Sequence, residues 1–261
     1  GNLVRAHAQA KRAGRFDAAA SLSAQAMAAQ VRATASGPGC PPTALRALQD
    51  WQRGQHCFLE PADSCHYLWE YTPGRRCAAL GRWIGNLKCL PSQAAASPLR
   101  AIHKERALIA AAEALRSALP RAWVEQATWS PIPPSRCCED RDYDDRLLRV
   151  LRQAFQGYDA DIRPLIRQSD TTPADHRHRR RLSLQALFDL TSVDARELAR
   201  GPLRARLVLF DDLLTTGKHY KCAQRHLQGL LGPRIVIGCF LARRVLVASR
   251  CGRSVRDFRP S

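Results

Sequence analysis

A short stretch of the chain brings two adjacent carboxylates, two adjacent hydroxyls and a glycine together directly after an apolar run. These residues are Asp211, Asp212, Thr215, Thr216 and Gly217. Neighbouring carboxylates accept hydrogen bonds from vicinal hydroxyls of the kind that a ribose carries. A turn that enters a helix supplies hydroxyls, free backbone N–H groups and a positive dipole end to an anion. Because a sugar phosphate satisfies both halves, the stretch predicts a site for such a ligand.

Two other interpretations of the same stretch can be compared with this one. A Walker loop is excluded, because the stretch lacks the upstream glycine and has no Ser or Thr after Lys218. The plain structural alternative is a strand, a turn and a helix with an acidic N-cap. The coincidence of acids, hydroxyls and glycine in one register favours the ligand site.

The elements that position this stretch alternate between strand and helix patterns. The predicted strands are 127–131, 162–166, 207–210 and 235–241. The predicted helices are 102–119, 144–156, a short one after residue 181, and 219–231. Alternating units of this size favour an α/β fold in which helices flank a mostly parallel sheet. Ligands of such sheets bind at the carboxyl ends of the strands, where the acidic pair is expected.

The chain divides into three predicted parts. Residues 1–55 are interpreted as an Ala-rich helical extension, partly disordered, with a Gly- and Pro-rich break at 36–42 and a short helix over 43–53. Residues 56–250 are interpreted as the α/β domain, and residues 251–261 as a basic tail.

An antiparallel strand pair is predicted near the start of the domain. Residues 65–72 are rich in aromatic side chains and end at a Pro-Gly turn, and 82–89 is the predicted partner strand. Trp69, Tyr71 and Trp83 are candidates for stacking on a nucleobase. A core role for these aromatic side chains is the favoured alternative.

The composition bounds the class of protein. The 261 residues, 45% hydrophobic and 25% charged, are typical of a globular chain, and the longest apolar stretch, 235–242, is too short to span a membrane. Ten scattered cysteines without zinc-finger spacing or a secretory leader predict free thiols, no structural zinc and a cytoplasmic location. The net charge of +18 comes mainly from 36 Arg, and indicates either an anionic partner or a composition bias spread over the chain.

The stretch from Val208 to Gly217 resembles the signature of the type I phosphoribosyltransferases. That signature is an apolar strand, two acids, two apolar residues and Thr-Thr-Gly. The resemblance implies that Asp211 and Asp212 hold the ribose hydroxyls of phosphoribosyl pyrophosphate (PRPP) as the catalytic pair, and that the Thr-Thr-Gly turn holds the 5-phosphate. Lys218 and His219 are further candidate phosphate ligands. His219 stands where the family has Thr or Ser, so loss of phosphate binding is the alternative.

A second segment, 128–136, resembles the strand-to-loop segment of the competence-associated, ComF-like branch of that family. In that branch a Pro-x-Pro sequence ends the strand, and the next residues wrap the pyrophosphate. The resemblance implies that Ser135 and Arg136 are diphosphate ligands. Arg146 lies in a block that is similar in placement only, and it either faces the diphosphate or, as we favour, pairs with Asp142 on a helix surface.

The resemblance spans residues 65–244 and extends to blocks found in a group of bacterial phosphoribosyltransferase-like proteins. These blocks are Glu70-Tyr71-Thr72, Asn86-Leu87-Lys88, Pro133-Pro134-Ser135-Arg136, Tyr143-Asp144-Asp145-Arg146 and Phe210 to Gly217. Residues 170–181 fall where the family has a mobile loop that closes over substrate. A nucleic-acid contact and a plain solvated loop are the alternatives, and metal binding by His176 and His178 is the least favoured.

Two functions follow from the resemblance. The first is a phosphoribosyltransferase of nucleotide metabolism that takes Mg²⁺-bound PRPP, transfers the phosphoribosyl group to a nitrogen nucleophile and releases pyrophosphate. In it the substrate holds most of the Mg²⁺ coordination. The second is a non-catalytic module that senses PRPP or a nucleotide and acts with nucleic acid. The acceptor is not fixed by the sequence, no membrane partner is predicted, and a homodimer is left open.

Overall fold

The computed structural model describes residues 44–73, 78–171, 182–231 and 235–246. The helix and break predicted before residue 44, most of the 170–181 loop and the basic tail lie outside the described residues. The seven cysteines within the described ranges are free thiols. None of the helices in those ranges is long and apolar enough to cross a membrane.

A six-stranded sheet forms the centre of the structure. In sheet order its strands are β1 (Arg46–Ala47), β2 (Ser64–Tyr71), β8 (Val236–Arg244), β7 (Arg206–Leu214), β3 (Ala127–Pro131) and β4 (Asp161–Ile162). Every neighbouring pair is parallel except β1 with β2. A separate antiparallel pair consists of β5 (Ile166–Gln168) and β6 (Thr191–Val193). The predicted α/β class with a mostly parallel sheet is confirmed, whereas the antiparallel pair is formed by other residues than the predicted 65–72 and 82–89.

Helices cover both faces of this sheet. In the described ranges they are α1 (Asp50–Arg53), α2 (Ala78–Leu87), α3 (Pro91–Ala95), α4 (Pro98–Ala118), α5 (Arg121–Glu125), α6 (Arg146–Ala154), α7 (Leu184–Asp189), α8 (Ala195–Leu198) and α9 (Lys218–Leu231). The helices predicted at 102–119, 144–156, after 181 and at 219–231 correspond to α4, α6, α7 and α9.

Two hydrophobic cores hold the sheet between these helices. Alternate residues of β7 enter different cores, Val208 and Phe210 on the side of α2, α4 and α6, and Leu207 and Leu209 on the side of α9. All four side chains are fully buried. A strand buried on both faces needs a continuous apolar run, which is what the sequence provides before the acidic pair. The carboxyl end of β7 is therefore held in a fixed position.

The predicted strand at 82–89 is wrong, because these residues belong largely to α2. Leu80, Trp83, Ile84 and Leu87 are buried in one core and recur at three- and four-residue spacing, which is the pattern of a helix face. β2 pairs in parallel with β8 instead. The core interpretation of the aromatic side chains holds for Trp83, which is 6% exposed and packs on Trp69 with ring centroids 5.2 Å apart.

Three other boundaries differ from the sequence prediction. The segment 162–166 contains parts of two strands, β4 and β5, because Pro164 between them has no N–H to donate to a ladder. The segment 43–53 contains β1 before a one-turn helix, and Leu48 is buried in the second core. β7 continues through the acidic pair to Leu214, paired with β8 along its length.

Candidate functional site

The carboxyl ends of β3 and β7 place the two sequence motifs side by side. Pro131 pairs with Phe210, and the N–H of Ile132 donates to the carbonyl of Phe210 at 2.8 Å. The loop after β3 therefore leaves the sheet next to the acidic pair. The carboxyl ends of the strands of a parallel sheet are the usual place for a ligand in an α/β fold.

Asp212 is buried and holds two cations. Its carboxylate is 2.7 Å from Lys88 Nζ through Oδ1, and it accepts from Arg146 Nε at 2.9 Å and Nη2 at 2.6 Å through Oδ2. Only 2% of the Asp212 side chain is exposed. Burial alone raises a carboxyl pKa, but the charges and hydrogen bonds of Lys88 and Arg146 outweigh it and hold the pKa of Asp212 far below its ordinary value.

Asp211 differs from its neighbour in both exposure and charge. It is partly exposed, and its Oδ1 accepts the N–H of Asp212 at 2.7 Å. Burial and the negative charge of Asp212 raise the pKa of Asp211 to about 7. At neutral pH the pair thus consists of one permanently ionised carboxylate and one group that gains or loses its proton easily.

The cations around Asp212 belong to a larger ionic cluster. Arg146 also lies 3.3 Å from Asp144 Oδ2, and the same oxygen is 2.7 Å from Lys104 Nζ. Lys104 is buried and also donates to the carbonyl of Cys89 at 2.6 Å. Three cations thus face three carboxylates when Asp211 is ionised. We call these six side chains (Lys88, Lys104, Asp144, Arg146, Asp211 and Asp212) the ionic cluster.

The pairing of Arg146 corrects the favoured sequence interpretation. Asp142 accepts the N–H of Ser92 at 2.8 Å, and Arg146 turns instead to Asp212 and Asp144. The guanidinium is therefore part of the floor of the site. Lys88 received no role from the sequence, although its block was among those that carried the resemblance.

The Thr-Thr-Gly turn lies between the end of β7 and the first residue of α9. Gly217 has φ of +84°, a backbone conformation that favours glycine. A Cβ at this position would lie 2.6 Å from Leu59 Cδ2. Thr215 and Thr216 are partly exposed, so their hydroxyls are accessible beside the helix N-terminus.

Lys218 and His219 occupy different environments. The Lys218 side chain is buried, and its Nζ donates to the carbonyl of Leu182 at 2.8 Å. This ammonium joins α9 to the start of α7, so it is engaged away from the turn. His219 lies partly exposed on the first turn of α9.

Ser135 and Arg136 lie on the loop after β3. The carbonyl of Ser135 accepts from Gln168 Nε2 at 2.9 Å, and Arg136 Nη1 pairs with Asp140 at 2.9 Å. These bonds tie the loop to β5 and give it a defined shape. Both residues are partly exposed.

A cleft of about 290 Å³ opens beside this loop. Its walls come from residues 131–134, Arg136, the start of α6 and β5, and Arg146 lines it together with Tyr143. Because Arg146 also bonds Asp212, the cleft borders the ionic cluster. It provides room for a ligand that extends beyond a single phosphate.

A segment from the start of the domain, residues 56–63, lies behind the Thr-Thr-Gly turn, and we call it the back segment. His56 Nδ1 is hydrogen-bonded to the carbonyl of Thr215, and the N–H of Phe58 donates to the carbonyl of Thr216 at 3.0 Å. No sequence motif marked these two residues. Their contacts arise only in the folded chain, so the sequence carries no local signal for them.

Lys221 of α9 fastens the back segment. Its Nζ is 2.9 Å from Glu60 Oε2, from both carboxylate oxygens of Asp63, and 2.8 Å from Gln224 Oε1. Lys221, Asp63 and Gln224 are all buried. The back segment and the helix that begins at the turn therefore form one hydrogen-bonded unit.

Comparisons with known proteins add no family to this geometry. A scan against protein-family models finds no match, and a search of curated proteins finds none. Within the described ranges no cluster of three or more His, Cys, Asp or Glu residues could hold a metal ion.

Proposed function

We propose that this protein is phosphoribosyltransferase-like: it binds Mg²⁺-bound PRPP and transfers the phosphoribosyl group to a nitrogen nucleophile with release of pyrophosphate. One observation carries the proposal. The partly exposed carboxylate of Asp211, the Thr-Thr-Gly turn and the loop after β3 lie along one edge of the sheet. PRPP carries a diol, a monophosphate and a diphosphate, and these need three separate binding groups placed side by side in this way.

Each part of the ligand has a chemically matched partner. Asp211 accepts from the ribose hydroxyls, and Thr215, Thr216 and Gly217 surround the 5-phosphate with hydroxyls and backbone N–H groups. Arg136 and the loop N–H groups face the diphosphate. Mg²⁺ enters as part of the substrate, held mainly by its phosphate oxygens.

The reaction needs no protein nucleophile. The lone pair of the acceptor nitrogen forms a bond to the anomeric carbon, and the bond from that carbon to the diphosphate oxygen breaks, so the pyrophosphate leaves with the electron pair. Positive charge develops on the sugar as the bond breaks. Asp211, when ionised, stabilises this charge across a short distance in a partly dry site.

Calorimetric titration with PRPP, with and without Mg²⁺, tests the proposal. We expect Mg²⁺-dependent binding that the Asp211→Asn variant weakens by roughly tenfold or more, the effect of one hydrogen bond to a charged group. The matched control is Asp50→Asn, because 96% of the Asp50 side chain is exposed on α1. A wild-type chain that binds no PRPP, or an Asp211→Asn chain that binds as well as wild type, overturns the proposal. Release of pyrophosphate in the presence of free nucleobases or ammonia then separates transfer from binding.

A second function, a non-catalytic module that senses PRPP or a nucleotide and acts with nucleic acid, is favoured by one observation. Both carboxylate oxygens of Asp212 already hold cations, so a ribose hydroxyl has to compete with Lys88 and Arg146. PRPP binding without pyrophosphate release from any acceptor supports this function. Its partner is tested by gel shift, since nucleic-acid affinity must fall steeply with salt. Replacement of Arg179, Arg180 and Arg181, which lie outside the described residues, then tests whether nucleic-acid affinity depends on this segment or on the positive charge of the whole chain.

A further inference from the structure

The back segment contacts the Thr-Thr-Gly turn through two carbonyls in succession. His56 Nδ1 is hydrogen-bonded to the carbonyl of Thr215, and the N–H of Phe58 donates to the carbonyl of Thr216. Leu59 then fills the space next to Gly217. Three consecutive positions of the turn thus rest against the same short segment.

These contacts fix the direction of two N–H groups. In a trans peptide the C=O of one residue and the N–H of the next point to opposite sides of the chain. With the carbonyl of Thr215 held toward His56, the N–H of Thr216 points away from the back segment. With the carbonyl of Thr216 held toward Phe58, the N–H of Gly217 also points away. Successive N–H groups aimed to one side form a concave anion site.

The state of the His56 ring follows from its partners. A carbonyl oxygen only accepts, so Nδ1 carries the hydrogen. His56 is fully buried, and its Nε2 has no hydrogen-bond partner among the described residues. Burial lowers the pKa of this ring, which keeps it neutral. A buried ring with one nitrogen left unsatisfied is unfavourable as core filling, so the Nδ1 hydrogen bond is the feature that distinguishes His56 from an apolar residue of similar size.

We infer that His56 is a positioning residue, whose Nδ1–H orients the turn so that the N–H groups of Thr216 and Gly217 meet a phosphate of the ligand. This inference rests on the proposed function for the identity of the ligand. It deepens that function by assigning the phosphate site a residue outside the motif. His56 itself lies behind the turn and does not touch the phosphate.

Side-chain amides allow a test at the level of single atoms. Asn carries its donor at the position of Nδ1, Gln carries it at the position of Nε2, and Phe has a ring without a donor. We expect His56→Asn to bind inorganic phosphate and Mg²⁺-bound PRPP within about threefold of wild type. His56→Gln and His56→Phe are expected to lose roughly tenfold or more, the weight of one hydrogen bond that orients donors to a charged group.

The readouts separate this inference from the proposed function. Phosphate titrations followed by the ¹⁵N amide shifts of Thr216 and Gly217 report on the turn alone, whatever the wider ligand. Equal losses in the Asn and Phe variants, or no loss in Gln and Phe, overturn the role of His56. Binding of phosphate at the turn without binding of PRPP overturns the proposed function and leaves His56 in place. A wild-type chain whose two amides do not respond to phosphate overturns both.

If the His56→Phe variant fails to fold, the Asn and Gln variants still test the inference. The Asn and Gln variants differ only in the reach of the same amide, so their contrast alone decides the inference. In the wild-type chain, imidazole ¹⁵N shifts must report the hydrogen on Nδ1. An imidazole protonated on Nε2 contradicts the inference directly.

Discussion

Arg146 and Asp212 form a two-bond ion pair between helix α6 and strand β7, with Nε and Nη2 at 2.9 and 2.6 Å from one carboxylate oxygen. The pair joins the loop-and-helix region after β3 to the strand that carries the acidic motif. Both partners are removed from solvent, with 13% of the Arg146 side chain and 2% of the Asp212 side chain exposed. The two acids of the motif therefore have different tasks, since one anchors the cluster and the other remains accessible.

The first prediction concerns this division between the acids. Asp212→Asn should destabilise the chain by about 3–5 kcal/mol, because it leaves the buried charge of Arg146 without its main counter-charge. At about pH 6, Asp211→Asn should change stability by less than about 1 kcal/mol, because it removes a repulsion together with its contacts. Urea denaturation of the two variants measures both values. Equal destabilisation would mean that the acids are structurally equivalent.

The second prediction is an energetic coupling between Arg146 and Asp212. The double variant Arg146→Met/Asp212→Asn should be more stable than the sum of the single effects by about 1–3 kcal/mol, because neither side chain leaves the other unpaired. The pair Arg121 and Glu125, an exposed helix pair 2.7 Å apart, is the control. Its coupling should be below about 0.5 kcal/mol. If the coupling energy between Arg146 and Asp212 is as small as that of the control pair, the prediction of a strong buried ion pair is contradicted.

The third prediction concerns pH. The pKa of Asp211 is raised to about 7 by burial and by Asp212. A raised acid pKa stabilises the folded state at low pH, and this contribution is lost as the pH rises from about 4 through about 7. Between pH 5 and 8 the wild type should lose about 1–2 kcal/mol relative to Asp211→Asn, after allowance for solvent screening of a partly exposed group.

The comparison with Asp211→Asn is needed because other groups titrate with the opposite sign. Burial lowers the pKa of His56, His66 and His226, and these rings add stability as the pH rises through their ordinary range. The histidine contribution cancels when the unfolding free energies of the two proteins are subtracted at each pH. A pH profile unchanged by the substitution would contradict the raised pKa of Asp211.

The fourth prediction is for Gly217 and its neighbour in the back segment. Gly217→Ala should destabilise by about 2–3 kcal/mol, through the unfavourable positive φ and the contact with Leu59. Adding Leu59→Ala should remove the steric part and leave the backbone part. Gly229 in α9 has open space around it, so Gly229→Ala is the control and should stabilise the chain by about 0.5–1 kcal/mol. Thermal or urea unfolding of these three variants, with Leu59→Ala alone as the reference for the double variant, checks the set.

The fold was predictable where a pattern is local. The strand at 127–131 is found with the bounds predicted from its sequence, and α6 and α9 lie within about two residues of theirs. The failure at α2 has a physical reason. Its aromatic and apolar residues suit a strand by propensity, and only their three- and four-residue spacing, read across the whole segment, indicates a helix.

The candidate site was predictable in its motifs and not in its contacts. The acids, the Thr-Thr-Gly turn and the loop after β3 are visible in the sequence, whereas the partner of Arg146 lies 66 residues away on β7. Which cation meets which carboxylate depends on strand order and helix placement, and no local pattern carries that information. His56 is a stronger case, since it lies outside every motif and is hydrogen-bonded to a backbone carbonyl 159 residues away.

The ion pair between Lys221 and Asp63 bears on when the site forms during folding. The two residues are 158 positions apart, and closing a chain loop of that length costs about 4–5 kcal/mol in entropy. The turn obtains its shape only when the back segment and α9 have met. During synthesis from the N-terminus, a nascent chain that has not yet released Gln224 from the ribosome lacks the contacts of Lys221 and Gln224 with Asp63. Under the proposed function, ligand binding is therefore expected only of molecules whose domain is complete.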